Sequence, residues 1–186
     1  MSIEEINQAV DAICEKGYKN LYLVGTGGTY AMASPLSYLI KTNSTIPWYY
    51  EIAAELVTAK PKQLTKDSVV ITASLSGTTV ETINAAKYAK GEYLLFLNND
   101  TQVQQDWLQP LIDLMKKDTT IGMVGSKLIY ADGYLQEAGG ILWDDASAWN
   151  YGNRQNPNDS EFNFVHEVDY ISGAAIMIRT KLWKEI

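Results

Sequence analysis

Ser68-Val69-Val70-Ile71-Thr72-Ala73-Ser74-Leu75-Ser76-Gly77-Thr78-Thr79 is the stretch whose reading decides the fold. Of its first six residues, the five from Val69 to Ala73 are apolar or β-branched, and none of the six is charged. Such a continuous run predicts a strand buried on both faces, the signature of a parallel sheet. Small, hydroxyl-rich residues follow at once, and Thr79 to Ala89 then reads as a helix. Strand, small-residue loop and helix in that order make a βα unit. The loop of such a unit lies at the carboxyl edge of the sheet, where these folds bind ligands.

The same rhythm extends upstream. Ser2-Ile3-Glu4-Glu5 is a capping box, and Ile3, Ile6, Val10 and Ile13 follow helical spacing up to a stop at Gly17. Leu21 to Val24 reads as a strand that ends in Gly25-Thr26-Gly27-Gly28-Thr29, with a helix onward to about Lys41. Ile46–Tyr50 reads as a strand and Ala53–Ala59 as a short helix. Downstream, Glu92–Leu97 and Ile121–Val124 read as strands flanking a helix over Gln105–Lys117. After Ser126 the pattern changes. Residues 127–130 and 136–142 read as short antiparallel pieces around a turn at Asp132-Gly133. Residues 144–164 are Asn-rich and polar and read as one long loop, before a last apolar strand at Gly173–Arg179. The expected fold is α/β, a single Rossmann-like, mostly parallel three-layer sandwich with an antiparallel extension near the C-terminus. The expected organisation is one composite domain over residues 1–186.

Composition narrows the function. The chain has 186 residues, 46% hydrophobic and 20% charged, enough for one good core but not for two complete enzyme domains. A net charge of -7 argues against a nucleic-acid partner, which would need clustered Lys and Arg. The one cysteine, Cys14, excludes an internal disulfide and fits a reducing, cytoplasmic setting. No apolar run reaches the roughly 18 residues that span a bilayer. The acidic, amphipathic N-terminus does not read as a signal peptide.

Two loops carry candidate ligand chemistry. Hydroxyls of Ser74, Ser76 and Thr79 would donate to phosphate oxygens, and Gly77 leaves the backbone N–H groups accessible at the helix start. Gly25, Gly27 and Gly28 would let a ligand approach the backbone of the first strand's loop. Ordinary turn and N-cap chemistry uses the same residue types. Further along, Asp100 ends Leu97-Asn98-Asn99-Asp100 at another strand edge, as a metal-binding carboxylate or as an exposed N-cap. His166 is the sole histidine, with no neighbouring Cys or His, and reads as a surface residue. Trp143 and Trp149 either stack on a sugar or pack beneath the long loop.

Residues 1–88 resemble the SIS (sugar isomerase) domain, in particular the fructosamine-6-phosphate deglycases and the isomerase part of glucosamine-6-phosphate synthase. Tyr22 to Tyr30, Glu51-Ile52-Ala53-Ala54-Glu55 and Ser74 to Thr82 carry that resemblance. It implies a sugar-phosphate or phosphate ligand held by Ser74, Ser76 and Thr79, with Gly27 and Thr29 lining the pocket. It also implies sites built at homodimer interfaces and no required cofactor or metal. The family's acid/base residues have no counterpart here; the nearby carboxylates are Glu81, which reads as solvent-facing in the first turn of its helix, and Glu55, mainly a structural or pocket-lining position and the catalytic candidate of the two. Residues 89–186 resemble the C-terminal half of a family 2 glycosyltransferase, of the rhamnosyltransferase-like kind with a GT-A fold. Glu92 to Thr101, Trp107-Leu108, Ile121 to Gly125, Gln136 to Gly140 and Val168 to Ala175 carry this second resemblance. It implies that Asp100 binds Mg²⁺ or Mn²⁺ when a sugar nucleotide is present. It places the acceptor's catalytic base beyond Leu182-Trp183-Lys184-Glu185-Ile186, with Asp169 near the acceptor side.

The seam falls near Ala89–Gly91. The leading expectation is a chimera, engineered or natural, with no complete catalytic apparatus and residual sugar-phosphate binding. A metal-dependent glycosyltransferase and a homodimeric sugar-phosphate isomerase or deglycase stand as alternatives. The splice predicts that the Ser68–Ala73 and Glu92–Leu97 strands pair in one continuous sheet. That pairing would bring Ser76 and Asp100 to a common edge.

Overall fold

The computed structural model describes residues 17–74, 78–89, 91–98, 100–104 and 107–185. The expected first helix with its capping box, Cys14, Ser76, Gly77 and Asn99 lie outside these residues. The chain divides into two compact units. One runs to Leu94 and takes in the C-terminus from Trp183, and the other spans Leu95–Leu182.

The first unit is the three-layer α/β arrangement that the sequence predicts. Its centre is β1 (Asn20–Gly25), buried along its whole length. β2 (Trp48–Ile52) and β3 (Ser68–Thr72) flank it, both parallel, in the order β2-β1-β3. Side chains alternate across a strand, so β1 feeds two cores. Leu21 and Leu23 pack with Ile40 and Ile46, against Leu36 and Leu39 of α1 (Gly28–Asn43). Tyr22 and Val24 pack on the other face with Ala53 and Leu56 of α2 (Ala53–Ala59) and Ala85 of α3 (Val80–Tyr88). Each such Leu or Ile contributes roughly 1.5–3 kcal/mol by leaving water.

β3 is where one expectation fails. Its hydrogen-bonded neighbour is β1, whereas β4 (Tyr93–Leu97) pairs with β10 (Ala175–Arg179) in a separate sheet, of order β4-β10-β5 with β5 at Met123–Gly125. The continuous sheet expected from the splice is therefore not formed. The physical consequence shows on both strands. Each is an edge strand, and apolar positions read as doubly buried stay open, with Ile71 44% exposed and Leu95 and Leu97 at 37% and 39%. A continuous apolar run marks a strand, but it does not say which strand becomes the neighbour.

In the second unit, β10 runs antiparallel to β5 (Met123–Gly125), with Met177 opposite Val124. The helix α4 (Leu108–Lys117) turns Leu111 and Met115 inward. Two small antiparallel ladders follow: β6 (Leu128–Ile129) with β7 (Leu135–Glu137), and β8 (Gly140–Leu142) with β9 (Ala148–Asn150). The expected turn at Asp132-Gly133 is present. Gly133 adopts φ 89° and Tyr130 N donates to Tyr134 O at 2.8 Å.

Residues 144–164 are not one long loop, contrary to the expectation. They contain β9 and a 3₁₀ turn at Ser160–Phe162, and they are tied to β7 by Arg154 N to Leu135 O at 2.8 Å and Leu135 N to Gln155 O at 2.9 Å. Phe162, Leu135 and Ala138 form a small core beneath Tyr151. The abundant Asn and Asp fold the segment instead of loosening it. Asp145 accepts from Ser147 N at 2.9 Å and Asn156 from Asn158 N at 3.1 Å, the turn-closing bonds these short side chains make. Among the described residues, no helix is long and apolar enough to cross a membrane.

Candidate functional site

Two stretches of the chain carry site chemistry, one in each unit. In the first unit, the chain leaves β1 through Gly25. A Cβ there would sit 2.6 Å from the backbone N and Cα of Tyr30, so glycine is required for α1 to begin this close to the strand. Gly27 precedes α1 with φ 53°. Thr29 folds back on this loop. Its Oγ1 donates to Thr26 O at 2.9 Å and accepts from Thr26 N at 3.1 Å. A hydroxyl has one proton, and here it is committed to the loop's own carbonyl.

At the end of β3, Ser74 Oγ and Thr79 Oγ1 lie 3.0 Å apart, on either side of the loop that leads into α3. Thr79 occupies the position before the helix, but its side chain does not cap the helix. Three threonine hydroxyls of this unit are also buried without a hydrogen-bond partner among the described residues. They are Thr26, Thr72 and Thr82, from the loop after β1, the end of β3 and the first turn of α3. Thr72 pairs with Val24 across the ladder, so it faces the side of the sheet that α3 covers. Buried polar atoms are normally satisfied, so the grouping marks this edge as unusually rich in unmatched acceptor and donor capacity. Glu55 lies in the first turn of α2 and is exposed.

In the second unit, β4 ends at Leu97 and the chain turns at once. Asn98 N donates to Ala174 O at 2.9 Å, and Thr101 N donates back to Asn98 O at 3.1 Å. Asp100 sits exposed in that turn. Among the described residues, no three His, Cys, Asp or Glu side chains converge to hold a metal ion.

A cavity of about 250 Å³ lies beside the β8–β9 ladder, lined by Tyr151, Phe164, His166, Glu167 and Asp169, among others. His166 therefore belongs to a concavity. Its Nδ1 lies 3.1 Å from Phe164 O and its ring 6.0 Å from that of Tyr151. Asp169 accepts from Leu142 N at 2.9 Å, which ties its carboxylate to β8. Trp143 and Trp149 meet edge to face, with ring centroids 5.7 Å apart, and neither is packed beneath a loop. Trp149 remains 64% exposed.

The residue that sequence reasoning passed over is Glu137. It is 3% exposed, and burial pushes its carboxyl above the usual carboxylate range. A signal was available: Leu135 and Glu137 alternate on one face of a short strand, so the acid occupies an inward position.

Known proteins resemble parts of this chain. The phosphosugar-isomerase likeness is limited in extent. Two solved structures of candidate phosphosugar isomerases, from Salmonella typhimurium LT2 and Bacillus subtilis, are 34% and 31% identical over 47% and 46% of this chain. Their TM-scores are 0.40 and 0.38, and the match spans 27% and 28% of those chains. The O-antigen biosynthesis protein RfbC of Myxococcus xanthus is 33% identical over 105 residues, which is 56% of this chain and 8% of that protein. The description glycosyl transferase family 2 matches residues 52–185, beginning well upstream of the seam expected at residue 89. With most of its length inside that match, the chain belongs to glycosyl transferase family 2.

Proposed function

We propose that the family 2 segment binds a nucleotide sugar, with a divalent cation held between the donor's diphosphate and Asp100. What carries this reading is the pinned turn after β4. The bond from Asn98 N to Ala174 O fixes the strand end that presents Asp100. Asp100 fits the cation as one hard oxygen ligand among several. With no group of three metal-ligating side chains among the described residues, the remaining ligands are phosphate oxygens and water. The cation, once bound, neutralises the diphosphate leaving group.

Calorimetric titration with a panel of nucleoside diphosphate sugars tests this. Binding is expected with Mn²⁺, is lost with EDTA, and falls at least about tenfold in Asp100→Asn. Absence of any Mn²⁺-dependent heat in the wild-type chain overturns the reading.

A second reading concerns the first unit. There we infer a residual sugar-phosphate cradle at Ser74 and Thr79, favoured by their mutual hydrogen bond and by the unmatched hydroxyls of Thr72 and Thr82. In this view the chain joins pieces of two carbohydrate-handling ancestors, and Asp100 and Ser74 serve different ligands.

A further inference from the structure

We propose that Glu137 is a positioning residue for the turn that presents Asp100, acting through the backbone of Ser172–Ala174. This rests on the reading of Asp100 as the cation ligand. The path consists of four hydrogen bonds. Glu137 Oε1 accepts from Ser172 N at 3.3 Å. Ser172 Oγ accepts from Ala174 N at 3.2 Å. Ala174 O accepts from Asn98 N at 2.9 Å, and Asn98 O accepts from Thr101 N at 3.1 Å. Each link shares a residue with the next, so the buried acid on β7 and the exposed turn after β4 are joined without a gap.

The choice of side chain supports a role beyond packing. Glu137 occupies an inward position beside the fully buried Leu135, where an apolar residue would cost far less to bury. An apolar residue there would leave the half-buried Ser172 N without this acceptor, and a donor stripped of its partner costs more than a pair removed together. The carboxylate is therefore explained by what it holds. It fixes Ser172, Ser172 fixes Ala174, and Ala174 O is the acceptor that sets where β4 ends.

The test uses the full ¹⁵N-labelled chain, with amide hydrogen exchange read at Asn98 and Thr101 and, as a control in the other unit, at Leu23. Glu137→Gln keeps an acceptor oxygen and should leave all three amides unchanged. Glu137→Ala should speed exchange at Asn98 and Thr101 on the order of five-fold, the equivalent of one lost hydrogen bond, and leave Leu23 alone. Ser172→Ala removes the middle acceptor without touching Glu137. It should reproduce that pattern, and it decides the matter if Glu137→Ala fails to fold. Unchanged exchange at Asn98 in Ser172→Ala, or faster exchange there in Glu137→Gln, overturns the proposal. Titration with Mn²⁺ and a nucleoside diphosphate sugar is run on the same variants. If the wild-type chain shows no metal-dependent binding, the reading of Asp100 falls, while the exchange data still decide whether Glu137 positions the turn.

Discussion

Ser74 Oγ and Thr79 Oγ1 stand 3.0 Å apart across the loop between β3 and α3, each the other's hydrogen-bond partner. A phosphate entering there would take both hydroxyls as donors, which their mutual bond does not allow. Binding must therefore break that contact, and the affinity is expected to be modest. Thermal unfolding with glucose 6-phosphate and with inorganic phosphate reports it. A ligand at ten times its dissociation constant adds about 1.4 kcal/mol, a shift of a few degrees. The double variant Ser74→Ala/Thr79→Ala should lose the shift for both ligands. No wild-type response at millimolar concentration counts against the cradle.

That loop also shows where sequence reasoning reaches and where it stops. The strand–loop–helix order was readable because the apolar run of β3 and the helical spacing after Thr79 are local. So was β1, buried along its whole length. Pairing is not local. The apolar run Tyr93–Leu97 fits beside β3 or beside β10 equally well, and only the packed chain selects β10. Polar segments mislead for the opposite reason. The Asn and Asp of residues 144–164 signal turns, but whether those turns close onto β7 depends on Leu135 and Phe162 meeting beneath them. The site residues divide in the same way. Asp100 could be placed at a strand end from its neighbours alone, whereas the link from Glu137 to Ser172 crosses 35 residues.

Gly25 tests the close approach of β1 to α1. Its backbone is not in the left-handed region, so alanine meets no conformational penalty there and the steric term stands alone. A Cβ at 2.6 Å from the Tyr30 backbone has to push the first turn of α1 outward. Gly25→Ala should cost about 1–3 kcal/mol in denaturant unfolding, with Gly28→Ala, where nothing lies within 4 Å, as the tolerant control. Equal stability of the two variants would contradict the packing described.

Tyr22 makes the first unit sensitive to alkali. Its ring is fully buried, and burial, reinforced by Tyr49, Glu51 and Tyr88, pushes the phenol from 10.0 up to about 12. In the unfolded chain the phenol loses its proton near 10, whereas the folded chain retains it to about 12. Over that window the unfolded state binds fewer protons, so stability falls as pH rises. The hydroxyl has no partner among the described residues, so Tyr22→Phe should be neutral or slightly stabilising at pH 7. Melting curves from pH 9 to 12 should show a shallower loss for Tyr22→Phe than for wild type. Parallel curves would mean that the phenol is not held as described.

Arg179 closes the C-terminal end of α4. The last carbonyls of a helix have no partner within it, and a cation placed there satisfies them and complements the helix dipole. The guanidinium donates to Met115 O, to Asp118 O at 3.1 Å and, through Nε, to Ile121 O at 2.7 Å. The same residue's backbone N donates to Gly122 O at 3.0 Å, so the side chain is anchored where β10 meets the approach to β5. The planar fork reaches these three carbonyls from two separate nitrogens, whereas an ammonium offers its donors from a single point. Arg179→Met should destabilise the second unit by about 1.5–3 kcal/mol, since it removes hydrogen bonds from a charged donor and strands their acceptors. Arg179→Lys should fall between it and wild type. Because Arg179 belongs to β10, whose partner strand β4 leads into the turn at Asp100, amide exchange should quicken at Met123 and Val124 before it does at Leu23 of the other unit. Uniform quickening across both units would show instead that the two unfold together.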